Sequence, residues 1–217
     1  MLFLSTSGIM DGVKSYHHGD LRNALAEAAA DLAREGGPDA VVLREAARRV
    51  GVTPTAAYRH FDGQRDLLGT VKWQAQAVLA STIERALNEC ADEPDAGRRA
   101  IARLRSAGRA YLEFAFTEPG LFNTAFCHDR DIPPDEAPGY TDAGAFILLG
   151  VLLDEMVAAG LLPAERRPLA EFGAWAAVHG LAVLVLDGPL AGLTGGARDA
   201  AVEAVLDGVT RSLVGEP

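Results

Sequence analysis

The stretch GVTPTAAYRHF, residues 51–61, has the pattern of a tight turn followed by a short helix. Gly51 stands where the end of a preceding helix requires left-handed backbone, which glycine adopts without steric cost. Thr53 is a suitable N-cap for the next helix, and Pro54 occupies its first position, where proline is tolerated. Apolar residues recur at helical spacing over residues 43–50. The pattern therefore predicts a helix-turn-helix whose second helix runs to about Phe61.

The second helix of such a unit enters the major groove of DNA, so its first turn has to be slim. Threonine and alanine meet that demand, since a hydroxyl can bond a base edge and a methyl can touch a thymine methyl. Residues farther along can bond phosphates and fix the register. Spacing alone leaves Tyr58 open between core and DNA, whereas it places Phe61 in the core and leaves Arg48-Arg49 as a possible solvated face. The predicted DNA-contacting residues are Arg44, Thr53, Pro54, Thr55, Ala56, Ala57, Tyr58, His60, Gln64 and Arg65.

The net charge raises an objection to this prediction, because 20 basic residues face 30 acidic ones and the formal charge is −10. The excess is not evenly spread. Residues 1–65 hold 8 basic and 8 acidic residues, 8 − 8 = 0, so residues 66–217 hold 12 and 22, 12 − 22 = −10. Since nucleic-acid binding depends on local charge, a neutral front segment can bind DNA while the acidic remainder is repelled.

Hydrophobic periodicity predicts an all-α protein. Asp20 is the expected N-cap of the first helix, which Gly36-Gly37-Pro38 should end. We expect a flexible tail over residues 1–15, a three-helix DNA-binding domain over 16–65, and a ligand-binding and dimerisation domain over 66–217, with Cys127–Pro138 as an exposed loop. The predicted helices span residues 20–36, 43–50, 54–61, 65–90, 98–117, 119–126, 141–159, 166–186 and 198–213.

Composition excludes several classes of protein. No uninterrupted apolar run is long enough for a transmembrane helix, and the N-terminal pattern is not that of a secretory signal. Cys90 and Cys127 are the only cysteines, and neither lies in a metal-binding spacing. We therefore expect a cytoplasmic protein with no metal and no cofactor.

Two segments carry a resemblance to a known family. LREAARRVGVTPTAAYRHF, residues 43–61, followed by Leu67-Leu68, resembles the DNA-binding domain of TetR-family transcriptional regulators. YHHGDLRNAL, residues 16–25, resembles the start of the first helix in one branch of the family, and WAAVHGLAVLVLDGPL, residues 175–190, resembles the motif of its WHG-type C-terminal domain. The resemblance implies an all-helical homodimer whose last two helices form a four-helix interface, and a small-molecule effector that releases a repressor from a palindromic operator. An activator stays possible.

Two positions depart from the pattern of the family. Gln64 stands where a lysine usually contacts phosphate, and Val42 stands where a Ser or Thr usually caps the second helix. Gln64 keeps a hydrogen bond to phosphate but loses the charge, and at Val42 only Arg44 and backbone N–H groups are left for the phosphate contact. We therefore expect modest affinity for each half-site and a dependence on the dimer.

The resemblance places an effector pocket among the middle helices, where large apolar side chains favour an apolar ligand. Each aromatic residue alone could equally be core, and His179 could be a satisfied core or interface histidine. Residues 172–186 are apolar nearly all round, which is consistent with an interface. The predicted ligand-binding residues are Trp73, Phe114, Phe122, Phe126, Phe146, Met156, Trp175 and His179.

Two other functions compete with this prediction. Cys127-His128-Asp129 could suggest nucleophilic chemistry, but catalytic groups converge from separate segments, so we expect no enzyme. A helix-turn-helix protein that no longer binds DNA and serves as a ligand sensor or protein-interaction module is the remaining alternative.

Overall fold

The computed structural model describes residues 18–90, 92–127 and 144–214, and in that part of the chain every regular element is helical. The predicted tail, residues 1–15, lies outside the described residues. The predicted loop Cys127–Pro138 also lies outside them, apart from Cys127 itself. The α-helices are α1 (His18–Gly36), α2 (Leu43–Val50), α3 (Pro54–Ala57), α4 (Gln64–Asn88), α5 (Ala96–Thr117), α6 (Pro119–Phe126), α7 (Gly144–Ala158), α8 (Ala170–Leu186) and α9 (Gly195–Leu213).

The front module, α1–α3, packs around alanines and a few larger side chains. Ala29, Ala33, Ala46 and Ala57 are completely buried, which lets the short helices approach closely. The predicted start of α1 is wrong: His18 is already helical, so Asp20 lies inside the helix, whereas an N-cap has non-helical backbone.

The turn between α2 and α3 follows the prediction. Gly51 has φ 79° and ψ 28°, the left-handed conformation, and the Val52 amide bonds back to the Ala47 carbonyl. The α3 helix is shorter than predicted and ends at Ala57. Its continuation tightens, because the amides of Arg59 and His60 bond to the carbonyls three residues before them. The chain still reaches Phe61 as a helical turn, and Phe61 is 1% exposed.

The rear module, α4–α9, is organised around α5, which packs against α4, α6, α7, α8 and α9. Helix α5 begins two residues before the predicted position because the Asp95 carboxylate accepts a hydrogen bond from the Arg98 amide at 2.8 Å. Helix α8 begins later than predicted, since residues 164–166 form a separate 3₁₀ turn.

The two modules meet along α4, which packs on α1, and where α6 abuts the end of α1. Gly120, at the start of α6, lies so close that a Cβ there would come within 2.1 Å of the Ala33 carbonyl oxygen and 2.6 Å of that of Arg34. Arg34 and Glu118 add an ion pair at 3.6 Å. Only glycine fits this contact without moving backbone.

Candidate DNA-binding surface and ligand cavity

The first turn of α3 presents small polar groups outward. The Thr53 hydroxyl accepts a hydrogen bond from the Ala56 amide at 3.2 Å, which confirms it as the N-cap. Thr53, Pro54 and Thr55 are exposed and Ala56 is half-buried. Ala57 requires a correction, because its side chain is fully buried in the core between α2 and α3 and does not face the surface predicted to meet DNA.

Tyr58 and Phe61 lie on opposite sides of the turn that follows α3. Tyr58 is 49% exposed and is therefore not a core residue, whereas Phe61 is core as predicted. The guanidinium of Arg22 stacks on the Phe61 ring with 4.2 Å to the centroid, and it donates a hydrogen bond to the His60 carbonyl. Arg22 therefore ties α1 to the end of this turn, a role that the sequence pattern did not indicate.

The arginines of the front module form two groups. Arg48 is bonded by two N–H···O contacts of 2.8 and 2.7 Å to Glu45, and Arg49 similarly to Glu35. Hydrogen bonds from these arginines lower the pKa of Glu45 and of Glu35. Both arginines are thus compensated within the chain and have little net charge to offer a phosphate.

Arg44 and Arg59 are exposed and make no ion pair within the part of the chain that the structure describes. Sequence reasoning missed Arg59, although its position directly after Tyr58 was a signal for it. Gln64 and Arg65 open α4 and are also exposed. Val42 has extended backbone at the N-cap of α2 and makes no side-chain cap, so the predicted departure stands in the fold.

A second feature is a small cavity of about 60 Å³ inside the rear module. Of the predicted ligand-binding residues, Phe126, Phe146 and Trp175 line it. The lining residues come from α4 to α9 and are Ile83, Leu104, Arg105, Ala107, Gly108, Tyr111, Phe126, Ala145, Phe146, Leu148, Leu149, Leu152, Ala174, Trp175, Val178, Leu206, Val209 and Thr210.

The other predicted ligand-binding residues lie elsewhere. Trp73 is 55% exposed on α4, and Phe114 and Met156 are buried in the core without lining the cavity. Phe122 and His179 form the layer behind its aromatic wall: the Phe126 ring lies 5.0 Å from Phe122 and 4.9 Å from His179, centroid to centroid.

Three polar side chains form a hydrogen-bonded chain at this wall. The indole N–H of Trp175 donates to the Tyr111 hydroxyl oxygen at 3.2 Å, and that hydroxyl lies 2.8 Å from Nδ1 of His179. Burial lowers the pKa of His179 and raises the pKa of Tyr111, so both groups are neutral near pH 7. In the Nε2–H tautomer, a neutral His179 accepts the Tyr111 proton at Nδ1. Sequence reasoning missed Tyr111, although a tyrosine on the core face of α5 needs a partner for its hydroxyl.

With this geometry established, the comparisons with known proteins decide the family. Residues 25–71 match the family model described as bacterial regulatory proteins, tetR family, and residues 104–209 match the model described as the tetracyclin repressor-like C-terminal domain. The chain belongs to the TetR family. It is accordingly a DNA-binding transcription regulator, and the first match spans most of α1, all of α2 and α3, and the start of α4.

Solved structures agree with this family. A protein of unknown function from Rhodococcus sp. RHA1 is 28% identical with a TM-score of 0.74, covering 93% of this chain and 100% of its own. A TetR family transcription regulator from Marinobacter aquaeolei VT8 is 18% identical with a TM-score of 0.63, covering 90% and 96%. A tetR family regulatory protein from Rhodococcus RHA1 is 19% identical with a TM-score of 0.63, covering 90% and 98%. The last two likenesses concern the fold alone.

The described residues also bear on the predictions about a membrane span, a metal site and a catalytic cluster. None of the described helices is long and apolar enough to cross a membrane. Within the same ranges no group of three or more His, Cys, Asp or Glu side chains could hold a metal ion. In the cluster Cys127-His128-Asp129, which could suggest nucleophilic chemistry, His128 and Asp129 lie outside the described residues.

Proposed function

We propose that this TetR-family protein is a homodimeric repressor that binds a palindromic operator in the cytoplasm and is released by a small apolar effector. Residues 16–65 serve as the DNA-binding domain and residues 66–217 as the effector and dimer domain. The observation that carries the proposal is the position of α6. Its C-terminal Phe126 lines the cavity, while its N-terminal Gly120 abuts the carbonyls of α1.

The dimer is supported by an apolar face of α8 that the described part of the chain leaves uncovered. One side of the helix carries four exposed apolar residues, which are Gly173, Ala176, Val183 and Leu184. They are spaced three, seven and one residues apart. A Cβ added at Gly173 or at Gly180 would meet no atom within 4 Å, so the face is open and flat. Helix α9 continues it with exposed Ala200 and Ala204. Small residues of this kind let the helices of a second copy approach closely.

Operator binding is assigned to Arg44, Thr53, Thr55, Tyr58 and Arg59. In the proposed complex the exposed first turn of α3 meets base edges, and Arg44, Tyr58 and Arg59 flank it at phosphates. The remaining predicted contacts are Pro54, Ala56, His60, Gln64 and Arg65. In a two-fold dimer the paired recognition helices match half-sites about one DNA turn apart.

The effector site is assigned to the cavity lined by Phe126, Phe146 and Trp175. Its volume of about 60 Å³ is well below the roughly 150 Å³ of an apolar cavity that holds benzene. A ligand therefore has to displace the walls, and α6 is one of them. Because α6 rests on α1, the displacement favours one orientation of the DNA-binding module, with a typical coupling of about 1–3 kcal/mol. A ligand that did not distinguish the two orientations would have no effect.

The test is selection of bound duplexes from a random DNA pool, followed by a salt titration on the selected sequence with Tyr58→Ala as the control. We expect a palindromic sequence, a steep salt dependence and weaker binding by the variant. A folded dimer that enriches no sequence would instead support the DNA-independent sensor, for which the uncapped Val42 and the uncharged Gln64 would be the physical reasons.

A further inference from the structure

The polar groups that line the cavity are few, and each already has a partner inside the protein. The Thr210 hydroxyl donates to the Leu206 carbonyl at 2.8 Å. Arg105 donates to Asp207 and, at 2.8 Å, to Glu203. The remaining polar groups are the Trp175 N–H and the Tyr111 hydroxyl, which bond to each other. All other side chains on the wall are hydrocarbon or aromatic.

The charge at the Arg105 end of the cavity is balanced. Arg105 pairs with Asp207 and Glu203, and Arg109 also pairs with Glu203. Two guanidinium groups thus face two carboxylates, and among the described residues that line the cavity Arg105 is the one ionised side chain and is paired. An ionised ligand entering this cavity would lose its hydration without gaining a counter-charge, which is unfavourable.

The Tyr111 hydroxyl differs from the other polar groups because it has capacity left. A phenolic oxygen donates one hydrogen bond and can accept two. We assign His179 the Nε2–H tautomer, so that Nδ1 accepts the Tyr111 proton, and the Trp175 indole N–H occupies one lone pair of the hydroxyl oxygen. One lone pair therefore stays available on a residue that lines the cavity. A ligand that supplies a hydrogen-bond donor can use it and leave the Trp175–Tyr111–His179 chain intact.

We propose that the effector is an uncharged, largely apolar molecule with a single hydrogen-bond donor, such as a phenol or an alcohol, and that Tyr111 selects it. This inference rests on the proposal that the cavity is the effector site. It adds the ligand class and the residue that discriminates within that class. A hydrocarbon of the same shape gains only the apolar contacts, and the corresponding carboxylate pays for desolvation.

Three probes with one carbon skeleton test the inference: propylbenzene, 4-propylphenol and 4-propylbenzoate. We would measure their affinities by isothermal titration calorimetry on the full-length protein. We expect 4-propylphenol to bind about three- to tenfold more tightly than propylbenzene, as one neutral hydrogen bond allows, and 4-propylbenzoate to bind more weakly than both. Tyr111→Phe should abolish the preference for the phenol over propylbenzene.

The ranking of the probes on the unaltered protein tests the inference even where Tyr111→Phe fails to fold. Binding of 4-propylbenzoate as tightly as 4-propylphenol, or a phenol preference that persists in Tyr111→Phe, would overturn it. A fluorescence titration in the Trp73→Phe background locates the probe, because Trp175 is then the one tryptophan that remains. Quenching there places the probe at the cavity, and its absence contradicts the inference.

Failure of the wider proposal has a different signature. If the probes bind and rank as expected but none changes operator affinity, the cavity holds ligands without regulating DNA binding. The class and the role of Tyr111 would then stand while the effector mechanism would be wrong. If none of the probes binds, both are wrong.

Discussion

The front module and the helix pair α8–α9 use apolar residues in opposite ways. In α1–α3 most alanines and leucines and Phe61 are turned inward, and the exposed side chains are polar or charged apart from Pro54 and Tyr58. In α8 the interior is filled by Ala174, Val178, Ala182 and Val185, yet Val183 and Leu184 are still more than 40% exposed. The front module has completed its own core, whereas α8 has more apolar surface than the described residues of the chain cover.

This difference indicates two kinds of partner. A polyanion needs exposed donors and positive charge on a rigid surface, and Thr53, Thr55, Arg44 and Arg59 supply them. An exposed apolar helix face is favourable only when another apolar surface covers it. Each module is therefore suited to one type of interaction, and the proposed operator complex uses both. Substitutions that affect one module at a time can separate the two contributions.

The largest effect should come from a charge on the apolar face of α8. Val183→Glu places a carboxylate at the proposed interface, where it would be buried without a partner. We expect the dimer to dissociate, and operator affinity to fall by about 10²–10⁴-fold because the two half-sites are no longer bound together. Analytical ultracentrifugation and operator titration measure the two effects.

Ala77→Glu on α4 is the matched control, since Ala77 is exposed but lies far along the chain from α8 and α9. It should leave the mass and the operator affinity unchanged. A Val183→Glu protein that stays dimeric would show that the face of α8 is not the interface.

The next effect concerns the contact between the modules. Gly120→Ala forces a Cβ into the carbonyls of Ala33 and Arg34, so α6 or α1 has to move. We expect the free energy of unfolding to fall by about 1–3 kcal/mol, as overpacking usually costs. Gly69→Ala is the control, since a Cβ at Gly69 meets nothing within 4 Å, and alanine in a helix should stabilise by up to about 1 kcal/mol.

Urea denaturation of the two variants gives the comparison. Equal stabilities would mean that the contact of Gly120 with α1 is easily relaxed, and α6 would then be a poor candidate for carrying a signal to the DNA-binding module.

The same two regions explain how much could be predicted from sequence. In the front module local rules suffice: Gly51 needs left-handed backbone, Thr53 caps a helix, and both lie where predicted. The prediction of Asp20 as the N-cap of α1 was wrong because a residue that suits a cap can also lie within a longer helix. The boundaries of α5 and α8 shifted because a side-chain cap at Asp95 and a 3₁₀ turn competed with periodicity.

The cavity was harder to predict because it depends on contacts between distant segments. Trp73 and Phe126 are both aromatic residues on helices, but their opposite environments follow from which face packs against α5. Tyr111 is 68 positions from His179 and 64 from Trp175, so no local pattern joins them. Likewise, the pairing of Arg49 with Glu35 across two helices depends on the fold.

A smaller effect should distinguish the compensated from the uncompensated arginines. Arg44→Gln should reduce the slope of log affinity against log salt by about 0.9, the loss of one phosphate contact, with affinity lowered for all sequences alike. Arg48→Gln should change the slope less, because Glu45 already neutralises Arg48. Filter binding at several salt concentrations measures both slopes. Equal reductions would mean that DNA displaces Glu45, and that pairing within the free protein does not predict contact with phosphate.

The smallest effect is a pH dependence that belongs to the rear module alone. Burial lowers the pKa of His179 in the folded protein, so the unfolded chain binds its proton more readily. Stability from a neutral His179 is therefore present above the unfolded pKa of about 6.5 and is lost as pH falls through the lower folded pKa. Glu35, Glu45 and Glu203 do not contribute in this pH range, because the pKa of each carboxyl group is lowered from 4.5 and these groups titrate at more acidic pH.

His179→Gln keeps an acceptor for Tyr111 but cannot titrate. Its free energy of unfolding should therefore fall less than that of the unaltered protein between pH 7.5 and about 5.5. Parallel urea titrations at the two pH values measure this difference. If the two proteins lose the same stability, the environment of His179 does not disfavour its charge, and the neutral hydrogen-bonded chain to Tyr111 would need a different protonation state.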